Sequence, residues 1–253
     1  VLVELQPDAT DTLTARVLAT NSTPDDAACD LAIRRWLPHD LDIDPFLTHA
    51  QTDAVLWALI APCVGLRNFR AGNAFEALVT TIIEQQIALI TAQRAERWLI
   101  EMFGDALEYD GERYAAFPTP ERIAALSIED LHPLKITFRR MTAILHIARA
   151  MTTGQIDLES LTDDGALTTI NGVGAWTAAW TTIRARGVYP YMGSADVALR
   201  AAVNRYVYGA RGRADRAVTD ALFARYGTHA GIAAFYTLMR YAFESYPSKT
   251  GEG

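Results

Sequence analysis

The sequence predicts a mainly α-helical protein with a small β element at its N-terminus. Three observations lead there. Apolar residues recur at helical spacing in segment after segment from residue 25 to residue 245. Strict two-residue alternation is confined to the first twenty residues. Pro, Gly and Asp/Asn punctuation falls between the periodic segments rather than within them.

Residues 1–5 alternate apolar and polar until Gln6-Pro7-Asp8, and residues 13–18 alternate again, so two short strands joined by a polar turn are predicted. Two strands alone are marginal and need a partner to pack on. Asn21-Ser22-Thr23-Pro24 is a loop and cap signal, and residues 25–37 read as a helix stopped by Pro38. Asp44-Pro45 opens a helical region that residues 55–60 continue to Pro62; residues 65–73 read as a linker. Phe75, Leu78, Val79, Ile82 and Ile83 make a strongly amphipathic helix. Residues 90–103 form the next, ended by Gly104.

Residues 108–120 are polar and irregular, and no strand is expected beyond the first twenty residues. A short helix runs from Pro120 to Leu126, and Ser127-Ile128-Glu129-Asp130 has the form of a capping box for a following helix. Residues 138–151 are helical and carry Arg139, Arg140, His146 and Arg149. Asp163-Asp164 can cap a helix over residues 165–170. Residues 175–186 and 197–208 are two clean helical runs, the second ended by Gly209. Arg211, Arg213 and Arg216 lie in a basic, flexible loop, residues 217–226 and 232–245 are helical, and the tail 247–253 reads as disordered.

Composition bounds the class. Half of the 253 residues are hydrophobic and 21% are charged, as in an ordinary globular protein. No run of eighteen apolar residues is present to span a membrane, and the opening residues do not read as a signal peptide, so none is expected. The chain starts at Val1, so residues upstream of it are expected. Two cysteines, Cys29 and Cys63, cannot build a four-Cys metal site, and a reducing, cytoplasmic location fits. His39, His49, His132, His146 and His229 show no metal spacing. The net charge of −7 argues against a nucleic-acid partner, but its distribution does not. Residues 1–130 carry 9 basic and 21 acidic side chains, whereas residues 131–226 carry 12 and 7, so the second half can present a positive face.

The basic half contains the stretch on which function is centred. Asn171-Gly172-Val173-Gly174 joins two helical segments, and a Gly-x-Gly turn permits positive φ and close backbone approach. The first turn of the following helix exposes free N–H groups that suit an anion. Trp176 and Trp180, at i,i+4, share one helix face, and Asp196 precedes the next helix. From position alone Asp196 is an N-cap and the two indoles are core.

Leu167-x-x-Ile170-x-Gly172-Val173-Gly174-x-Trp176-Thr177-Ala178, with Asp196 twenty residues after Trp176, resembles the helix-hairpin-helix DNA glycosylases, most closely the AlkA type. Ala74-Phe75-Glu76-Ala77-Leu78-Val79 with Ile82-Ile83-Glu84-Gln85-Gln86 is similar to a second family signature, and Phe117-Pro118-Thr119-Pro120-Glu121 to a third; the likeness covers residues 69–243. It implies a two-lobed helical core over residues 67–246 with an active-site cleft between the lobes. The hairpin would occupy residues 165–186, and residues 1–66 would form an N-terminal region. It also implies a monofunctional glycosylase of base excision repair acting on alkylated purines, 3-methyladenine first, in double-stranded DNA.

Under that resemblance Asp196 is the catalytic carboxylate, and Trp176 and Trp180 stack on the flipped base. Trp180 stands where relatives have Tyr. Phe235 or Tyr236 takes the place of a pocket Trp missing near residues 230–233. Gln86 is the wedge that fills the vacated stack and Gln85 supports backbone near the site. Gly172, Val173 and Gly174 offer N–H groups to phosphate, with Arg211, Arg213 and Arg216 as further contacts. Trp176 stands where strand-cutting relatives carry a Schiff-base Lys, so no lyase step is expected. No cofactor is expected apart from a monovalent cation held by hairpin carbonyls; a monomer near the nucleoid is expected. The alternatives are a glycosylase for deaminated or oxidised bases, a non-catalytic DNA-binding hairpin domain, and a generic helical interaction protein.

Overall fold

The structure, a computed structural model, describes residues 1–7, 12–21, 23, 25–38, 40–161 and 164–245. The expected disordered tail and the Asp163 half of the expected cap lie outside the described residues. In chain order the elements are β1 (Leu2–Pro7), β2 (Leu13–Ala19), α1 (Asp26–Trp36), α2 (Asp44–Thr52), α3 (Ala54–Ile60), α4 (Ala74–Glu84) and α5 (Leu89–Phe103). Then come β3 (Ala106–Tyr109), β4 (Glu112–Ala115), α6 (Pro120–Ala124), α7 (Phe138–Thr152), α8 (Asp164–Leu167), α9 (Ala175–Arg186), α10 (Val197–Tyr208), α11 (Arg216–Ala224) and α12 (Ala230–Ser245). The mainly helical expectation with an N-terminal β element is met.

The chain divides into two compact units. The first comprises Val1–Leu37, Ala71–Leu161 and Ile170–Gly172. Its antiparallel β1–β2 hairpin pairs Glu4 with Arg16, and their side chains form an ion pair at 2.6 Å. α1 starts at Asp25, whose carboxylate accepts from the Ala27 and Ala28 N–H groups. α4 starts at Asn73, which accepts from the Glu76 N–H at 2.8 Å, while Glu76 reaches back to the Gly72 N–H at 2.9 Å. These reciprocal bonds fix the entry of the helix that buries Phe75, Leu78, Val79, Ile82 and Ile83. α7 packs beside α6, and Arg149 locks the pair by donating to the carbonyls of Ala124 and Leu126.

Two expectations for this unit need correction. Residues 106–115 are a β-hairpin, not an irregular segment: β3 pairs antiparallel with β4, Leu107 opposite Tyr114. The turn is Asp110-Gly111, with φ of 52° and 78°, the positive pair that a two-residue type I′ connection demands. Ser127–Asp130 is a true capping box, Ser127 N–H to Asp130 at 2.8 Å and Asp130 N–H to Ser127 at 3.2 Å, but it opens a 3₁₀ turn, Glu129–Leu134. Pro133 inside that turn is incompatible with a longer α-helix.

The second unit comprises Pro38–Arg70, Thr162–Thr169 and Val173–Gly253. The helical region expected as one run from Asp44 is two helices. Asp53 interrupts it with extended backbone (φ −117°, ψ 109°) and caps α3 through its carboxylate, which accepts from the Val55 and Leu56 N–H groups at 2.9 Å. At the centre lies α12, where Gly231 to Leu238 are all buried. Ile232, Phe235, Tyr236 and Leu238 supply the apolar volume, each worth about 1.5–3 kcal/mol on burial. The hydroxyl of Tyr236 donates to the Leu66 carbonyl at 2.7 Å, so its one polar atom is satisfied.

Gly231 allows α12 to approach the segment leading to Asp196. A Cβ there would sit 1.8 Å from the Tyr189 carbonyl oxygen and 2.7 Å from the carbonyl carbon of Pro190. Backbone cannot yield as a flexible side chain can. Gly231→Ala is therefore expected to destabilise the fold by about 1–3 kcal/mol. Thermal melts should show this as a fall of roughly 2–4 °C per kcal/mol.

Candidate active site

Asp196 sits at the N-terminus of α10, with 7% of its surface exposed. Its Oδ1 accepts from the Leu199 N–H at 2.9 Å, the ordinary bond of a helix cap. Its Oδ2 is turned toward α9. There it accepts from the indole N–H of Trp176 at 2.9 Å and from that of Trp180 at 3.4 Å. The i,i+4 spacing on α9 is what allows both indoles to address one oxygen. Sequence reasoning treated the two rings as stacking plates; their N–H edges are committed to Asp196.

The rings form the rim of a larger aromatic group. Trp176 and Trp180 lie 6.3 Å apart, tilted by 57°, and Trp180 lies 6.2 Å from Phe235. Phe235 in turn meets Tyr189 edge-on at 4.8 Å. Trp176 is half-buried and Trp180 buried, and the guanidinium of Arg184 lies 5.3 Å from the Trp180 ring. Phe235 and Tyr236, expected to line the base pocket, are 1% and 2% exposed and belong to the core beneath Trp180.

The loop before Asp196 is anchored by a residue that sequence reasoning missed. Asp220, on α11, accepts from the Ser194 hydroxyl at 2.6 Å, the Ser194 N–H at 3.1 Å and the Tyr191 hydroxyl at 2.8 Å. Burial pushes the Asp220 carboxyl upward, but the donors from Ser194 and Tyr191 and the nearby Arg216 outweigh it and hold the group below its ordinary value. Burial, and then donation to Asp220, raises the Tyr191 phenol, and burial pushes Tyr189 up to about 12, so both stay protonated at neutral pH. No local pattern links position 220 to 194. Only the return of α11 brings them together.

Of the hairpin glycines, only Gly172 uses the left-handed region, with φ of 92°. A Cβ there would lie 3.0 Å from that of Ala143. Gly174 is extended (φ −91°, ψ 174°) and stands before α9 as its cap residue without a side chain to cover the first N–H groups; a Cβ there would meet nothing within 4 Å. Val173 between them is buried. In the first unit, Gln85 Nε2 donates to the Gly172 carbonyl at 3.5 Å, the expected supporting role. Gln86 follows, exposed and at φ +56°, a conformation that costs a non-Gly side chain about 1–3 kcal/mol.

Arg211 and Arg213 are exposed, as expected, but their loop is tied to α10. Asn204 donates to the Arg211 carbonyl at 2.8 Å, and Arg200 and Ala214 exchange two bonds, at 2.7 and 3.0 Å. Among the described residues no group of three or more His, Cys, Asp or Glu side chains could hold a metal ion, and no helix is long and apolar enough to cross a membrane.

Residues 79–232 match the HhH-GPD superfamily of base excision DNA repair proteins. The chain is 35% identical over 158 residues to a DNA-3-methyladenine glycosylase of Bacillus subtilis (strain 168), covering 60% of this chain and 52% of the relative. It is 30% identical over 149 residues to DNA-3-methyladenine glycosylase 2 of Escherichia coli (strain K12), covering 57% and 51%. It therefore spans about half the length of these curated relatives. Among solved structures, the 3-methyladenine DNA-glycosylase of Archaeoglobus fulgidus superposes with a TM-score of 0.78 at 23% identity, covering 96% of this chain and 84% of that one. The DNA-bound 8-oxoguanine glycosylase/lyase of Clostridium acetobutylicum gives 0.74 at 21%, covering 96% and 82%. At these identities the superpositions speak to the fold alone. The family match, spanning more than half the chain and carrying the hairpin, both Trp and Asp196, makes this protein a member of the HhH-GPD superfamily of base excision DNA repair proteins.

Proposed function

We propose that the chain is a monofunctional DNA glycosylase that flips alkylated purines, 3-methyladenine first, out of duplex DNA and hydrolyses their N-glycosidic bond. One observation carries the reading: the buried carboxylate of Asp196, capped on one oxygen and held on the other by two indole N–H groups. The names of the Bacillus subtilis and Escherichia coli relatives support the substrate class.

Cleavage builds positive charge on the deoxyribose. A fixed carboxylate beside the anomeric carbon stabilises that charge and orients the attacking water. An alkylated purine already carries positive charge and leaves without a general acid. The half-buried Trp176 offers an indole to such a cationic base. Trp176 also occupies the position a Schiff-base Lys would need, so the product is an intact abasic strand.

DNA is held without basic side chains at the centre. The N–H groups at the start of α9 receive a phosphate, with Arg211 and Arg213 as outlying contacts. Gln86, already in its strained conformation, fills the gap left by the base. A monovalent cation held by hairpin carbonyls is part of the same reading. Such an ion would stiffen the turn and supply no chemistry. The protein acts as a monomer.

Four outcomes are expected. Asp196→Asn should lower single-turnover release of 3-methyladenine by about 10²–10³-fold or more while duplex binding persists; full activity in the variant would refute the assignment. Borohydride should trap no covalent protein–DNA adduct, and an adduct would mean a lyase. Gly172→Ala should cost about 1–2 kcal/mol of stability because of its left-handed φ. Gly174→Ala should leave the melting temperature unchanged yet weaken duplex binding in fluorescence anisotropy, because its methyl projects into open space before the α9 donors.

A further inference from the structure

We propose that Asp220 is a positioning residue for base release: through Ser194 and Tyr191 it fixes the loop that carries Asp196. The inference rests on the role given to Asp196 above and extends it to a carboxylate on a different helix.

The cap bond from Leu199 holds Asp196 from the α10 side only. On the other side the chain arrives through Tyr191, Met192, Gly193 and Ser194, with Gly193 at φ +80°. Such a loop has little rigidity of its own. The Asp196 N–H closes one turn onto the Gly193 carbonyl at 3.2 Å. Laterally, the loop is held by the burial of Met192, by the Tyr191 ring 5.6 Å from Phe223, and by Asp220, whose two oxygens take the hydroxyl and N–H of Ser194 and the phenol of Tyr191.

Bonds to an ionised acceptor are roughly twice as strong as neutral ones. Ser194 is 7% exposed, so little water is at hand to replace a lost acceptor. An amide at 220 takes away the negative charge that strengthens all three bonds and turns an N–H toward the Ser194 hydroxyl, which must rotate to accept it, so that side of the loop is held more weakly. Apolar packing such as that of the Tyr191 ring on Phe223 fixes position only coarsely, whereas Oδ2 of Asp196 must stay aimed at the indole edges and at the reacting sugar. A displacement of about 1 Å in a catalytic group can cost about 100-fold in rate.

The test uses Asp220→Asn in the full chain. Single-turnover 3-methyladenine release at saturating enzyme should fall by about 100-fold, while affinity for a duplex bearing a tetrahydrofuran abasic analogue is retained. Asp220→Glu should recover part of the loss. On an Asp196→Asn background, Asp220→Asn should add no further loss, since it acts through Asp196. Independently of activity, the indole N–H resonances of Trp176 and Trp180, assigned with Trp→Phe variants, should shift in Asp220→Asn. If Asp220→Asn does not fold, Ser194→Ala and Tyr191→Phe each remove one donor and should show smaller losses of the same kind. Unshifted indole resonances together with a wild-type rate would overturn the proposal, and so would losses that add in full to Asp196→Asn. If the unaltered chain released no base, the proposed function would fail, and unshifted indole resonances would then overturn the positioning role by themselves.

Discussion

A carboxylate taken out of water must have its lone pairs engaged, and around Asp196 that requirement organises the second unit. One oxygen is satisfied locally, by the first turn of α10. The other is satisfied by α9, through the indole N–H of Trp176 at 2.9 Å and, at the longer distance of 3.4 Å, that of Trp180. The loop between the helices must then end at a defined place, and Asp220 supplies the anchor. The large core side chains of α12 form the floor on which the aromatic group stands. The site is thus a consequence of three helix positions and one loop, not of a single motif.

Much of this was legible in the sequence. The apolar spacing of α4 and the uninterrupted runs that became α9 and α10 located those helices, and Asp196 fell at the start of α10 as expected. What failed was local chemistry read too lightly. Asp110-Gly111 is a strong hairpin signal, yet the polar residues around it masked strands of only four residues each. Asp53 looked like one more polar residue within a helical stretch, whereas its carboxylate caps a new helix. Asp220 was invisible for a different reason: its partners are set by the return of α11, and no spacing rule encodes that. Phe235 and Tyr236 are buried in the core, and aromaticity alone does not say whether a ring faces a pocket or the core.

The acidic balance of the chain is compatible with a phosphate-binding surface because the central donors are backbone groups. At the start of α9 the N–H groups carry partial positive charge from the helix itself, and Gly174 leaves them uncovered. Charge counting by side chain misses such a site. It also assigns too much to Arg211 and Arg213, whose loop is shaped by its bonds to α10 whether or not an anion arrives.

The simpler account of Asp196, a helix cap and nothing more, explains only half of its geometry. A cap needs one acceptor oxygen facing the helix, and Asn, Ser or Thr would serve about as well. It does not need burial, a full charge, or a second oxygen aimed away from the helix it caps. Here the second oxygen draws in two indole N–H groups from another helix, and the loop behind it is moored to a second carboxylate. Burying a carboxylate and then committing six donor groups to it and to the carboxylate that moors its loop makes little sense for stability, since a neutral cap on an exposed helix end would cost less. That arrangement fits the role proposed for Asp196, a fixed negative charge beside a developing cation.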